Sequence, residues 1–144
     1  NNRVVPAVRI GVRYYEGDAG VRDILEDMLD TTERAESKEY RLYSTAAIRD
    51  RKTAAWPGFD KERVKRGLKC RAIALGKGGG LAGLDDRRWL TQESSAATYI
   101  AIYQEKTAYI SLDDKKNLFG VIIEDAAISA TQALIFDGLW KSLA

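Results

Sequence analysis

Apolar positions recur along this chain at two spacings, and the switches between them mark its elements. Over residues 8–15 they alternate: Val8, Ile10, Val12 and Tyr14 share one face, the period of a half-buried strand. Glu16-Gly17-Asp18-Ala19-Gly20 reads as a turn, with Asp18 as the N-cap of a helix. In that helix Val21, Ile24, Leu25, Met28 and Leu29 form a single stripe, while Arg22, Asp23, Glu26, Asp27 and Asp30 face water. Residues 38–44 alternate again, with Tyr40 and Leu42 on one face and Arg41 and Tyr43 on the other. Residues 44–56 carry no clear period and stop at Pro57-Gly58. A short helix is expected over 60–66, anchored only by Val64 and Leu68. Gly67 sits where a helix end needs positive φ. Residues 70–75 are nearly all apolar, as a buried parallel strand requires.

The second half is more fragmented. Residues 76–83 hold five glycines and read as a loop, and 85–92 show no period. Two strands, 98–103 and 107–112, flank Gln104-Glu105-Lys106 as a hairpin. A polar turn over 113–117 leads to a strand at 118–123. The last twenty residues predict a helix with Asp125 near its start. Its apolar arc, Ile128, Ile135, Phe136, Leu139, Trp140 and Leu143, is wide enough for core and for a partner, though helices of this kind usually bury such an arc in their own domain. Leu134 lies outside it. The order predicts an α/β fold: a mixed β-sheet with flanking helices.

Length and composition narrow the function. At 144 residues, 45% hydrophobic and 31% charged, the chain suits one globular domain. No apolar run approaches the ~20 residues of a membrane span, and the start shows no signal-peptide pattern. One cysteine, Cys70, cannot form an internal disulfide, so a cytoplasmic location is expected. The net charge of +2 does not by itself imply nucleic-acid binding. There is no histidine. That removes Ser-His-Asp and Cys-His catalysis and histidine metal sites, so no metal and no cofactor is expected.

The remaining constellations read more simply as structure. Gly76-Lys77-Gly78-Gly79-Gly80 follows a strand as a phosphate loop would, but no Gly-Lys-Ser/Thr comes after it. Lys61, Arg63, Lys65, Arg66, Lys69, Arg71 and Lys77 outnumber Asp60 and Glu62, which fits a solvated face better than a nucleic-acid patch. Asp85-Asp86 and Asp113-Asp114 stand in expected turns, which Asp favours for its own reasons. Cys70 falls in a buried-strand pattern, as core rather than nucleophile.

Five segments in chain order carry a resemblance. Tyr15-Glu16-Gly17 with Gly20-Val21-Arg22-Asp23-Ile24-Leu25 resembles the opening of the C-terminal domain of TrmB-like transcription regulators. Arg63-Val64-Lys65-Arg66-Gly67-Leu68-Lys69-Cys70-Arg71-Ala72-Ile73 resembles that family's R-I-K-x-G-I-K-x-R-x-I segment. Arg88-Trp89-Leu90, then Thr107-Ala108-Tyr109-Ile110-Ser111 with Leu118-Phe119-Gly120-Val121-Ile122-Ile123-Glu124, and finally Phe136, Leu139, Trp140 and Lys141 are similar to its later segments. The resemblance implies half of a phospholipase D-like fold. Catalytic members of that superfamily carry His-x-Lys-x-x-x-x-Asp at the hairpin, and an approximate register puts Ala97, Tyr99 and Gln104 at those places. The resemblance thus implies the fold without the chemistry.

It also implies a role. The expectation is a non-catalytic, ligand-sensing and dimerising domain, residues 8–144, with 1–7 the end of a linker. DNA would be bound through an N-terminal helix-turn-helix that these 144 residues do not contain. The partners expected are a second copy of the chain and a small-molecule effector, a sugar or other metabolite, with no membrane. The ligand site is expected at the carboxyl ends of three strands, from Glu16, Gly17, Ser44, Thr45 and Lys77. The alternatives are a protein-interaction module without ligand and a divergent phospholipase D-like phosphodiesterase.

Overall fold

The computed structural model describes residues 11–93, 95 and 97–144. The expected linker, and Val8 and Ile10 of the first strand, lie outside the described residues. The elements run β1 (Val12–Glu16), α1 (Gly17–Glu33), β2 (Glu39–Thr45), α2 (Ala46–Ala55), α3 (Phe59–Lys65), β3 (Lys69–Leu75), β4 (Asp85–Thr91), β5 (Tyr99–Tyr103), β6 (Lys106–Leu112), β7 (Leu118–Glu124) and α4 (Ala126–Ser142). The strands form one seven-stranded sheet in the order β1-β7-β6-β5-β2-β3-β4. β2, β3 and β4 pair in parallel, and every other pairing is antiparallel. This is the mixed α/β sheet expected from the sequence.

Alternation along the strands assigns each residue to a face. Tyr40 and Leu42 of β2, Cys70 and Ala72 of β3 and Tyr99 and Ala101 of β5 face α1, α2 and α3. The α1 stripe, Val21, Ile24, Leu25, Met28 and Leu29, is completely buried there. Ile73 and Ile102 point the other way, onto Phe136 and Trp140 of α4. The sheet is therefore covered on both faces, by three helices on one side and by a single helix on the other. No helix among the described residues is long and apolar enough to cross a membrane.

Local chemistry sets the element ends. Gly67, at φ +72°, closes α3: its N–H bonds the Val64 carbonyl at 3.0 Å and the Leu68 N–H bonds the Arg63 carbonyl at 3.1 Å. Asp125 caps α4 by accepting the Ile128 N–H at 2.9 Å. Asp18, by contrast, is not a cap. The helix begins at Gly17, with Glu16 as an N-cap that makes no side-chain bond, so the expected turn is the first turn of α1.

Two segments without a sequence period are regular. Residues 46–55 form α2, whose sole buried anchor is Ile48. Residues 85–91 form β4, an edge strand that pairs with β3 alone and so needs no apolar run. The α4 arc is partly core: Phe136 and Trp140 are buried and Leu139 and Leu143 pack against them, while Ile135 is 56% exposed, as is Leu134, outside the arc, at 74%.

The connection from β3 to β4 is unusual for parallel neighbours, which generally need a crossover of a dozen or more residues. Here residues 76–84 suffice. Asp85 lies beside Cys70, so the chain returns over five strand residues, roughly 17 Å at the rise of a strand. A nine-residue helix would rise only about 14 Å. The loop therefore runs open, with Gly76, Gly78, Gly79 and Gly83 all at positive φ.

A basic cleft beneath the glycine loop

The glycine loop crosses the three-helix face and roofs a cleft of about 340 Å³. Its floor is Tyr40, Leu42, Cys70 and Ala72 of β2 and β3, and α2 and α3 form its far wall. Five cationic side chains line it, Arg49, Lys52, Arg63, Lys77 and Arg87, against three carboxylates, Asp50, Asp60 and Asp85. The volume lies in the range of small-molecule sites.

Two arginines build the cleft rather than serve it. Arg49, from the first turn of α2, donates Nη1 to the Ser44 carbonyl at 3.2 Å and Nη2 to the Gly76 and Lys77 carbonyls at 3.2 and 2.8 Å. It pins the start of the loop to the end of β2. Desolvation lowers its pKa, and the nearby Arg87 adds to this. Arg63, 2% exposed, donates to the Leu68 carbonyl at 2.9 Å and approaches Asp85 to 3.7 Å. Asp85 also accepts the Ala82 and Gly83 N–H groups, at 3.1 and 3.0 Å, and so anchors the end of the loop.

The other three cations are less committed. Lys52 is held in the wall with its side chain 11% exposed, its ammonium 4.5 Å from the Phe59 ring centre and 5.7 Å from that of Tyr99. The carboxylate paired with it, Asp60, is 3.9 Å away and half-exposed. Burial pushes the Lys52 pKa down; Asp60 opposes the shift, and Arg63 and Arg49 reinforce it. Arg87 donates one N–H to the Gly79 carbonyl and stacks over Trp89. Lys77 is exposed on the loop and lines the mouth.

Of the five residues expected to form the site, Ser44 and Lys77 line this cleft. Thr45 does not: it is 1% exposed, at the end of β2. Glu16 and Gly17 lie elsewhere. They edge a separate depression with Tyr14, Arg51, Asp113 and Phe119, on the far side of β7, β6 and β5 from β2. The expected single pocket is therefore two places. All three strands do end at one sheet edge, but their order sets β1 four positions from β2, which the sequence does not reveal. Arg49, Lys52 and Arg87 were not anticipated. Arg49 and Lys52 sit in the segment without a period and Arg87 in the unassigned edge strand.

The other candidates resolve as structure. The basic run is dispersed: Arg66 pairs with Asp30, Glu33 and Glu62, and Arg71 reaches Glu39 and Asp137 on the opposite face. Asp113 accepts the Lys115 and Asn117 N–H groups, both at 2.8 Å, and closes its turn. No cluster of potential metal ligands occurs among the described residues. Burial pushes the Cys70 thiol up to about 12, as befits a core side chain. Tyr99 opens β5 and is fully buried, while Gln104 sits in the turn at the other end of that strand.

No family model matches the sequence, and no curated protein matches it. Solved structures do. The chain resembles TrmBL2, described as an archaeal chromatin protein with a novel mode of DNA binding, at 17% identity and a TM-score of 0.54. That likeness covers 92% of this chain and 53% of the other, so the chain spans about half the length of TrmBL2. It resembles NucT from Helicobacter pylori at 12% identity, TM-score 0.59, covering 94% of this chain and 98% of that one. It also resembles Nuc from Salmonella typhimurium, a phospholipase D family member, at 13% identity, TM-score 0.56, with 93% and 96% covered. The seven-stranded mixed sheet with helices on both faces is thus a phospholipase D-like fold, one that TrmBL2 shares.

Proposed function

We propose that this chain is a non-catalytic regulatory domain that senses a small ligand in the basic cleft and acts together with a DNA-binding domain, as a TrmB-like regulator would. The observation that carries the reading is a loop-roofed, cation-rich cleft in a phospholipase D-like fold whose sequence has no histidine. A phosphodiesterase of that superfamily needs a nucleophilic histidine, and the place assigned to the catalytic lysine holds the buried Tyr99. The cleft remains as a place for recognition. The half-length match to TrmBL2, itself described as binding DNA, supports a role beside such a domain.

The α4 surface supports a second component of the reading, self-association. Leu134 and Ile135 project from a helix that buries only Ser129, Phe136 and Trp140.

The test is a thermal-shift screen of the 144-residue chain against sugars, phosphorylated sugars, nucleotides and carboxylic acids, with phosphodiesterase turnover measured in parallel. A ligand that binds only the folded state stabilises it by ~2.7 kcal/mol at a hundredfold excess over its Kd. A specific hit without turnover supports the reading. Turnover that disappears on mutating Lys52 would replace it with an enzyme.

A further inference from the structure

The geometry points to a phosphate monoester of a small polar molecule as the ligand of the cleft, its phosphoryl oxygens held by Lys52, Lys77 and Arg87 beneath the glycine loop. This rests on the reading of the cleft as a sensing site and names what it senses.

Two of the five cations already have fixed partners. Arg49 and Arg63 are occupied by main-chain carbonyls that fix the loop and the α3–β3 turn. Lys52, Lys77 and Arg87 keep unused donors. The carboxylate paired with Lys52 stands 3.9 Å off, and Arg87 gives a single N–H to the loop. Lys52 is the buried one of the three, and burying a cation without matching counter-charge is costly. The rings of Phe59 and Tyr99 offset part of that cost for Lys52 and supply no net charge. An anion in the cleft would supply it.

The donors approach from three elements: Lys52 from α2, Lys77 from the roof and Arg87 from β4. A phosphate monoester presents three terminal oxygens and up to two charges, one oxygen for each donor. A carboxylate has two oxygens and one charge. Arginine also favours phosphate through its planar fork. The carboxylates nearby do not cancel the field. Asp85 is tied to Arg63 and to the Ala82 and Gly83 N–H groups, Asp60 is half-exposed, and Asp50 is exposed. The cleft is larger than a phosphate ion needs, and Ser44, Thr53 and Asp50 on its wall suit the hydroxyls of a polar remainder.

The experiment is calorimetric titration of the 144-residue chain at low salt with glycerol 3-phosphate, inorganic phosphate, glycerol and succinate. Glycerol 3-phosphate is expected to bind, phosphate to bind more weakly, and glycerol not at all. Lys77→Gln and Arg87→Gln are each expected to weaken binding about tenfold, the loss of one charged hydrogen bond. Lys52→Met should do the same, and Asp60→Asn should tighten binding by removing the competitor. Lys77 is an exposed loop residue, so its variant separates loss of the site from loss of the fold. Succinate binding as tightly as glycerol 3-phosphate, or phosphate binding that ignores both glutamine variants, would overturn the assignment. No phosphate binding, alongside a hit from the wider panel with an uncharged compound, overturns this ligand class but leaves the sensing role intact. A blank with every compound overturns both.

Discussion

Arg41 donates Nε and Nη2 to the two carboxylate oxygens of Asp137, each at 2.8 Å, and this fork fastens α4 across the sheet. Arg71 adds a bond to the same carboxylate at 3.2 Å, and its own Nε goes to Glu39 at 3.0 Å. The fork holds one edge of the small core formed by Ile73, Ile102, Phe136 and Trp140.

The Asp137 carboxyl is held below its ordinary pKa, chiefly by the hydrogen bonds from Arg41. A depressed folded-state pKa contributes stability above the unfolded value, about 3.9, and that contribution is lost as pH falls through the folded value. Asp137→Asn should therefore cost about 1–2 kcal/mol at neutral pH, discounted for partial exposure. Chemical denaturation from pH 7 down to pH 2 should show the two stabilities converging at the acid end. A constant gap across that range would mean that the fork contributes packing and no charge.

Asp27 is the hub of a second polar group. It accepts from Tyr103 Oη at 2.9 Å and from Lys106 Nζ at 3.0 Å, and Lys106 also reaches Thr31 at 3.0 Å. Asp27→Ala strands a lysine that is 12% exposed and should cost about 3 kcal/mol. The double variant with Lys106→Met should regain part of that, because no charge is then left unpaired. Urea midpoints of the two variants measure the difference.

Gly120 on β7 has no room for a side chain. A Cβ there would overlap Ile24 Cδ1 and stand 3.0 Å from the Tyr109 carbonyl oxygen. Gly120→Ala should cost about 2 kcal/mol through overpacking of the α1 face, read as a lowered Tm. Trimming the obstruction in the double variant Ile24→Val with Gly120→Ala should restore part of it.

Gly79 carries the roof of the cleft. It sits at φ +81°, and a Cβ would come within 2.9 Å of Arg49 Nε. Gly79→Ala should therefore loosen the roof while leaving the sheet intact. The measurable outcome is faster proteolysis within 76–84 with an unchanged far-UV spectrum, together with loss of any ligand response.

The parts of the fold that bury a patterned face were legible in the sequence, and those that do not were missed. The α1 stripe, the alternation of Tyr40 and Leu42, the all-apolar β3 and the β5–β6 hairpin each carry a period because one face must leave water. α2 has a single buried anchor, Ile48, and β4 is an edge strand, Asp-Asp-Arg-Arg-Trp-Leu-Thr, so neither displays one. The cleft is built from those two elements together with the glycine loop. For that reason the sequence offered Ser44 and Lys77 but not Arg49, Lys52 or Arg87. Glu16 and Gly17 failed to join them for a topological reason: three antiparallel strands, β7, β6 and β5, stand between β1 and β2.

The short return from β3 to β4 makes one edge strand a link between the two faces of the sheet. Adjacent side chains on a strand point opposite ways. Arg87 holds the roof of the cleft at Gly79, while Arg88 holds the carboxyl end of α4, bonding the Trp140 carbonyl and the Leu143 carbonyl at 3.1 Å and stacking on the Trp140 ring. The pairing of β4 with β3 already slips by one residue between Ala74 and Leu75, beside the root of the loop. The roof of the cleft and the end of α4 are therefore tied to adjacent residues of a strand that is free on one side and already irregular, so a substitution that disturbs β4 reaches both faces of the sheet at once.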